Sequence, residues 1–208
     1  MILNIALTGF FLSHLFSANY SMYELYVELL NTLLVLLSTQ LHHIKLEENN
    51  YFLDLLLNQF GNRTNALLAK LLDNVIEQNL PPAQSSSVVY SAYSYFFAGR
   101  TSAGDVDPLP VADRSLLLIL LLSTQSRQYR NSIAELRDFH MLSSDQDTSK
   151  GKAHLIAFKE LYNIFCQSLH IEERMLLFYL ILVENESFRV YILSRTDPET
   201  LVRKEKKK

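Results

Sequence analysis

Cysteine, tryptophan, glycine and proline are all scarce in this 208-residue chain. It contains one cysteine, no tryptophan, five glycines and five prolines. A single thiol cannot build a disulfide framework, and Cys166 lies in an apolar helical pattern, so we expect it to be a buried core residue. So few glycines and prolines leave few signals for the turns of an all-β fold. The sequence therefore excludes a disulfide-rich scaffold and disfavours an all-β protein.

Excess charge is also missing. The formal net charge is −3, and charged residues make up 20% of the chain. A nearly neutral chain has no electrostatic footprint for nucleic acid, so no nucleic-acid partner is expected. Hydrophobic residues make up 49%, which is too many for a disordered chain. Leucine dominates them and favours helices over strands.

The first 18 residues raise the question of a secretory signal. They have an apolar middle and small residues near Ala18, but no positive charge near the start, and they contain Asn4, Ser13 and His14. An amphipathic helix is the preferred interpretation. A secreted or lumenal helical glycoprotein with a cleaved signal stays open as the alternative. It would use the three glycosylation sequons, at Asn19, Asn62 and Asn185.

Catalytic signatures are absent from the sequence. The five glycines are isolated from one another, so no phosphate-binding loop can form, and neither G-x-S-x-G nor C-x-x-C occurs. Pairs of possible metal ligands occur, each with too few members for a zinc site: His43 with Glu47, His170 with Glu173, and Asp105 with Asp107. We therefore predict a protein that is not an enzyme and has no cofactor or metal. A metal-dependent enzyme using the two aspartates is the remote alternative.

Helical spacing of apolar residues predicts three helices in the first part of the chain. The first two cover Tyr23–Leu46 and Tyr51–Phe60. Gly61 is expected to end the second, and Asn62 or Thr64 to cap the third. The third helix carries an apolar stripe and ends at a proline pair: Leu67, Leu68, Leu71, Leu72 and Val75, then Pro81 and Pro82.

The middle of the chain is predicted to contain two helices between two loops. The loops lie near residues 81–112 and 142–152. Asp113 is expected to cap a leucine-rich helix over Ser115–Leu122, and a polar helix is predicted over Gln128–Met141. The sequence L-L-S-T-Q occurs at residues 36–40 and again at 121–125. The 85-residue separation is about twice the period of HEAT or armadillo units.

The block from Leu161 to Val202 predicts short helices separated by polar breaks. Two apolar stripes precede the break at residues 184–187: Leu161, Ile164, Phe165 and Leu169, then Leu176, Leu177, Leu180 and Ile181. The break offers N-cap residues for the next helix. Helices this short must pack on neighbours. We therefore predict an all-α fold of stacked antiparallel helices, forming a segment of a HEAT/armadillo-like α-solenoid.

The same block resembles the dymeclin family. The resemblance rests on L-Y-x-x-x-C at residues 161–166, M-L-L-F-Y-L-x-L-x-x-N at 175–185, and R-V-Y-I-L-S-R-T-D-P-E-T-L-V at 189–202. It extends from about residue 23 to 202, leaving residues 1–22 as a non-matching apolar segment and 203–208 as a basic tail. The signature residues, with a structural or interaction role, are Tyr162, Cys166, Tyr179, Asn185, Arg189, Tyr191, Arg195, Thr196 and Asp197.

The resemblance implies a function as well as a fold. It implies an α-solenoid-like, non-catalytic scaffold in the cytoplasm, associated with the Golgi, which acts in Golgi organisation and vesicular transport. The implied partners are other proteins of the trafficking machinery, with peripheral membrane contact in full-length proteins. Lipid-anchored family members begin with Met-Gly, whereas this chain begins Met1-Ile2, so myristoylation is not expected. Family members are also several times longer, so we expect this chain to be a fragment.

Overall fold

The computed structural model describes residues 20–38, 51–59, 61–82, 109–124, 132–139 and 155–195. Within these ranges the chain is mostly helical, with one pair of two-residue strands. The α-helices are α1 Tyr20–Leu37, α2 Tyr51–Asp54, α3 Gly61–Glu77, α4 Pro110–Ser123, α5 Phe158–Ser168, α6 Glu172–Glu184 and α7 Glu186–Leu193. A π-helix covers Leu55–Gln59, a 3₁₀ turn covers Ser132–Glu135, and the strands are β1 Arg137–Asp138 and β2 Leu155–Ile156. The all-α prediction is confirmed.

Leucine side chains build the core between α1, α3 and α4. Helix α4 packs against both α1 and α3. The predicted stripe of α3 from Leu67 to Val75 is fully buried, and Leu30 and Ile119 contribute equally buried side chains from α1 and α4. Burying such a side chain contributes about 1.5–3 kcal/mol relative to leaving it in water. The leucine helix predicted over Ser115–Leu122 is confirmed inside α4.

A buried polar triad crosses this leucine core. The Nδ2 atom of Asn74 on α3 donates to the hydroxyl oxygen of Tyr26 on α1 at 2.8 Å and to Oγ of Ser115 on α4 at 2.9 Å. All three residues are buried. Buried polar groups cost free energy unless they are hydrogen-bonded, so the triad favours the one arrangement of the three helices that pairs them.

The predicted helix over Tyr51–Phe60 differs from the observed chain. Helix α2 lasts four residues and continues as the π-helix, and Gly61 begins α3 instead of ending α2. Thr64 therefore lies inside α3, where its buried Oγ1 donates to the carbonyl oxygen of Leu56 at 2.5 Å. The prediction that Thr64 caps α3 was wrong, because this bond fixes the junction between the two elements. Asn62 also lies within α3 and is not its cap.

The sequence predicted two other helix ends at the wrong residues. Helix α3 ends at Glu77, before Pro81, and the chain turns at Gln78, which has a φ of 48°. Asp113 is not the N-cap of α4, because that helix begins at Pro110 with Leu109 as its cap residue. The fixed φ of proline suits the first helical position, and Asp113 lies in the first turn, where its charge favours the helix dipole.

The polar helix predicted over Gln128–Met141 was wrong in its described part. Residues 132–139 form the 3₁₀ turn and strand β1, which pairs in parallel with β2 through Arg137 opposite Leu155 and Asp138 opposite Ile156. The backbone amide of Phe139 extends this pairing by donating to the carbonyl oxygen of Ile156 at 3.0 Å. Tertiary contacts overrode local helix propensity here.

The three C-terminal helices agree with the sequence. Helices α5, α6 and α7 lie where the apolar spacing predicted helices. Asn185, which belongs to the polar break predicted to offer N-cap residues, is the N-cap of α7, with Oδ1 accepting from the amide of Phe188 at 2.7 Å. Helix α6 packs on α4, α5 and α7. None of the helices in the described ranges is long and apolar enough to span a membrane.

Several predictions fall outside the described residues. They concern the segment 1–18 and Asn19, the end of the first helix to Leu46, the pair His43 and Glu47, and most of the two loops. The aspartate pair Asp105 and Asp107, the basic tail 203–208, and the signature residues Thr196 and Asp197 also lie outside the described ranges.

Candidate interaction site on the C-terminal helices

The signature residues from Tyr162 to Arg195 lie on α5, α6, α7 and their junctions. An aromatic core holds these helices together, with Phe158 of α5 and Phe188 of α7 at a centroid distance of 5.1 Å in an edge-to-face arrangement. Phe165 of α5 lies 5.0 Å from Phe178 of α6. Such pairs add about 0.5–1.5 kcal/mol beyond the area they bury.

Asn185 joins the helical block to the turn that precedes β1. Its side chain is fully buried, and Nδ2 donates to the carbonyl oxygens of Ile133 at 2.6 Å and Leu136 at 3.0 Å. The same side chain caps α7 through Oδ1. Since a carboxamide has two donors and an acceptor, no hydroxyl or carboxylate could make all three bonds. Asn185 therefore has a structural role.

Asp138 of β1 also caps a helix, at the N-terminus of α5. Helix α5 has Ala157 at its N-cap position, which offers no side-chain acceptor. The buried Asp138 supplies one from β1, with Oδ1 accepting from the amide of Phe158 at 3.3 Å. A carboxylate at a helix N-terminus is favoured by the helix dipole. Sequence reasoning missed this residue, because its partner lies 20 positions away.

Arg195 closes the block at its C-terminal end. Its guanidinium carbon lies 4.3 Å above the centre of the buried Tyr162 ring and 5.8 Å from that of Tyr191. Its Nη1 donates to the hydroxyl oxygen of Tyr191 at 2.9 Å. The structure thus brings together three signature residues from α5, α7 and the chain after α7.

Arg189 and Cys166 complete the signature within α5 and α7. The exposed Arg189 donates from Nη1 to the carbonyl oxygens of Leu182 at 3.1 Å and Val183 at 3.2 Å, which satisfies the C-terminal end of α6. Cys166 is half-buried, so the expected full burial was wrong. On α5, its neighbour Phe165 takes the fully buried position.

Tyr179 differs from the two other tyrosines of the signature, Tyr162 and Tyr191, which are buried and half-buried. It is 60% exposed on α6, and Met175, Leu176 and Val183 on the same helix are also exposed. The sequence placed Leu176 with Leu177 in one stripe, yet only Leu177 is buried. The sequence feature that could have indicated this exposed face is the composition of α6, which is apolar on nearly all sides. A helix of that kind needs neighbours on every face.

Ionisable groups connect this block to the leucine core. Burial lowers the pKa of Arg174 at the start of α6, and the nearby carboxylates of Asp113 and Glu173 oppose that shift. Burial raises the pKa of Tyr26 in the polar triad, because it disfavours the charged form of either group.

Within the described part of the chain, no three His, Cys, Asp or Glu side chains lie close enough together to hold a metal ion. His170, in the turn between α5 and α6, and Glu173, on α6, are both exposed.

A small depression lies between the leucine core and the 3₁₀ turn. Its lining is mostly apolar, with hydroxyl groups from Thr64, Ser123 and Ser132. The first two donate to the helical carbonyl oxygens of Leu56 and Ile119, respectively. The lining holds no carboxylate, imidazole, amine or thiol, so it offers no general base that could activate these hydroxyl groups as nucleophiles.

Comparison with known proteins agrees with the C-terminal motifs. The family model described as "Dymeclin: Dyggve-Melchior-Clausen syndrome protein" matches residues 3–203. Dymeclin of Gallus gallus is 28% identical over 209 residues, covering 86% of this chain and 31% of that protein. Dymeclin of Drosophila melanogaster is 34% identical over 97 residues, covering 45% of this chain and 13% of that protein.

A more distant relative shows the same partial coverage. Dymeclin of Dictyostelium discoideum is 25% identical over 178 residues, covering 74% of this chain and 19% of that protein. The chain thus spans about a third or less of the length of these curated relatives. No solved structure matches it significantly. Because the family model covers nearly all of its residues, the chain belongs to the dymeclin family.

Proposed function

We propose that this chain is a helical section of a non-enzymatic scaffold that acts in Golgi organisation and vesicular transport through protein–protein contacts. Family membership over residues 3–203 is the observation that carries the proposal. The resemblance of the C-terminal block implies a cytoplasmic, Golgi-associated protein with partners in the trafficking machinery. Because the chain spans about 31% of the length of its vertebrate relatives, the activity belongs to the longer protein of which such a section is part.

The helical architecture supports a scaffold. Short helices pack side by side around a shared core, and α6 is apolar both on its buried side and on its exposed side. In stacked helical repeats each unit covers the apolar face of its neighbour, and the remaining surface binds partners. We therefore propose a HEAT/armadillo-like solenoid as the arrangement of the complete protein.

The chemistry of the described residues supports a non-enzymatic role. The depression beside the leucine core offers only hydroxyl groups, two of which are bonded to helix carbonyl oxygens. Two of the buried ionisable groups have structural roles: Asp138 caps α5, and Tyr26 belongs to the polar triad. Binding is therefore the function that the described surface supports best.

The buried environment of Asn185 weighs against the alternative of a secreted glycoprotein. Its side-chain nitrogen, the atom that would carry a glycan, donates two hydrogen bonds inside the fold. A glycan there would displace the turn before β1, because glycosylated asparagines lie at the surface. A chain glycosylated at this sequon therefore could not adopt this fold.

Localisation in cells tests the proposed function. A C-terminally tagged full-length protein that contains this section should co-localise with Golgi markers and leave the cytosolic fraction together with Golgi membranes. A uniformly cytosolic signal from that protein in its folded form would remove the Golgi assignment. Secretion into the medium with a glycan on Asn62 would instead establish the glycoprotein.

A further inference from the structure

Exposed apolar side chains are concentrated on α6 and α7. Within the described ranges, α3 and α5 carry no exposed large apolar residue, whereas α6 and α7 together carry six. Four of them follow one another along α6 at spacings of three and four residues, which puts them on one side of that helix. The other two are three residues apart on α7. We call these six residues the outer face: Met175, Leu176, Tyr179, Val183, Val190 and Leu193.

Arg189 connects the two helices that form the outer face. Its guanidinium donates to the carbonyl oxygens of Leu182 and Val183 at the C-terminal end of α6. Its backbone belongs to α7, next to Val190 and one helical turn before Leu193. The outer face therefore continues from α6 onto α7.

Charges of both signs border the outer face. Glu172 and Glu173 are exposed at the start of α6, and Glu186 and Arg189 are exposed on α7. A border that carries both signs prefers neither an acidic nor a basic partner. The apolar side chains therefore decide what covers this surface.

The area of the outer face suits a unit that is covalently connected to this section. Its six side chains expose roughly 600 Å², which is at the upper end for the largest apolar patch of a typical monomer. A standard interface between separate proteins needs about 800 Å² from each partner, so the outer face alone is too small for one. A unit of the same polypeptide needs less area, because a linker holds it at an effective concentration of about millimolar.

Helix α6 has the character of an inner helix in a stack. It packs on α4, α5 and α7, with Leu177 and Ile181 fully buried, and its other side belongs to the outer face. In stacked helical repeats the terminal units have a polar outer side, whereas inner units are covered by neighbours on both sides. The apolar outer face is therefore that of an inner unit. A protein as long as the vertebrate relatives has about two thirds of its residues outside this section, since the section covers about 31% of them.

We propose that the outer face is the surface on which another helical unit of the same polypeptide stacks, packing on α6 and α7 as α6 packs on α4 and α5. Tyr179 lies in the middle of the α6 part of the outer face and is its largest side chain, so it is the central contact. The inference rests on the solenoid arrangement in the proposed function. It adds the surface at which the stack continues and the nature of the unit that covers it.

Thiol labelling tests the proposal in two proteins, the 208-residue chain and the full-length protein that contains this section. Tyr179→Cys and Leu193→Cys put one probe thiol on each helix of the outer face, and mass spectrometry of the labelled peptides gives a rate for each. Both thiols should react at least about 10-fold more slowly in the full-length protein, because a covered thiol is not accessible to the reagent. Asn163→Cys, on the exposed polar side of α5, is the matched control and should react equally in both proteins.

Three outcomes would overturn the proposal. Equal labelling of the two probe thiols in both proteins would show that no part of the longer polypeptide covers the outer face. Protection that increases with protein concentration would identify a second copy as the occupant. Equal protection of the Asn163→Cys control would show a general loss of access instead of stacking at this surface.

The localisation experiment separates this inference from the proposed function. If the probe thiols are not protected while the tagged full-length protein stays at the Golgi, only the stacking surface is lost. If they are protected and the protein localises elsewhere, only the Golgi assignment is lost.

Discussion

The helices before residue 124 and those after residue 158 are stabilised by different side chains. In the first region, leucines from α1, α3 and α4 fill the core. The buried polar triad within it joins three side chains around Asn74. In the second region, aromatic rings of α5, α6 and α7 fill the core. The buried polar bonds described above for that region connect side chains to backbone atoms, as at Asn185 and Asp138.

This difference follows from helix length. Helices α1, α3 and α4 have 18, 17 and 14 residues, whereas α5, α6 and α7 have 11, 13 and 8. Short helices have a larger share of unpaired backbone groups at their ends and are marginal alone. The second region therefore needs side chains that bind helix ends. It also keeps an apolar face open on α6, which the leucine region does not do on α3.

The largest effect should come from the aromatic core. Phe188→Ala should lower the free energy of unfolding by about 4 kcal/mol, because it leaves a cavity among Phe158, Phe165 and Tyr191. Leu71→Ala in the leucine core should cost about 3 kcal/mol. Urea denaturation followed by circular dichroism measures both values.

The shape of the same unfolding curves tests whether the two regions are one unit. Helix α6 packs on α4 as well as on α5 and α7, so we expect a single transition in both variants. A second transition that appears only in Phe188→Ala would show that the aromatic region unfolds separately. Leu176→Ala, at an exposed position next to the buried Leu177, is the matched control and should change the free energy by less than about 1 kcal/mol.

Asn185→Ala should have the next largest effect, about 3 kcal/mol. It removes the cap of α7 and leaves the carbonyl oxygens of Ile133 and Leu136 buried without this donor. The substitution tests the difference between the two regions, because the expected loss of stability arises from hydrogen bonds at helix ends and not from packing. Asn163→Ala on α5 is the control and should be neutral. A loss below about 1 kcal/mol for Asn185→Ala would mean that water replaces the amide, against its complete burial.

The regular helices could be predicted from the sequence, but the chain between them could not. Apolar spacing identified the stripe from Leu67 to Val75 and the three C-terminal helices because their packing follows the helical period. The 3₁₀ turn and β1 were predicted as a helix, because local propensity does not include the hydrogen bonds that this segment accepts from Asn185, about 50 positions later. The N-cap role of Asn185 was predictable because its partner, Phe188, lies three residues away.

The candidate site was predictable only in part, for the same reason. The motif residues Tyr162, Asn185 and Arg195 could be found by resemblance, but their mutual contacts depend on the tertiary fold. Exposure was the hardest property to predict. Leu176 and Leu177 are chemically identical neighbours, and only the position of α4 and α5 relative to α6 decides which one is buried.

Tyr26→Phe should have a smaller, pH-dependent effect in the leucine region. Burial raises the pKa of Tyr26 above its ordinary value of 10.0. The folded state therefore keeps the proton while the unfolded state releases it, so this stabilisation is complete below pH 10 and is lost as the pH rises towards the folded pKa. At pH 11 the wild type should have lost about 1.4 kcal/mol from this group relative to pH 8. The difference in unfolding free energy between the wild type and Tyr26→Phe should shift by that amount. A constant difference across this range would show that Tyr26 titrates normally in the fold.

Arg195→Ala should have the smallest effect, about 0.8 kcal/mol. The guanidinium lies over the Tyr162 ring and donates to the hydroxyl oxygen of Tyr191, but it is partly exposed, and a cation–π contact near water contributes less than a buried one. A double-mutant cycle with Tyr191→Phe separates the two contributions, because Phe keeps the ring and removes the acceptor. If Arg195→Ala costs the same in both backgrounds, the stacking on Tyr162 accounts for its effect. If it costs nothing in the Tyr191→Phe background, the hydrogen bond does. A loss equal to that of Asn185→Ala would instead make the partly exposed end of the block as important as its buried centre, and would contradict the expectation that polar bonds at buried helix ends stabilise this region more than those near water.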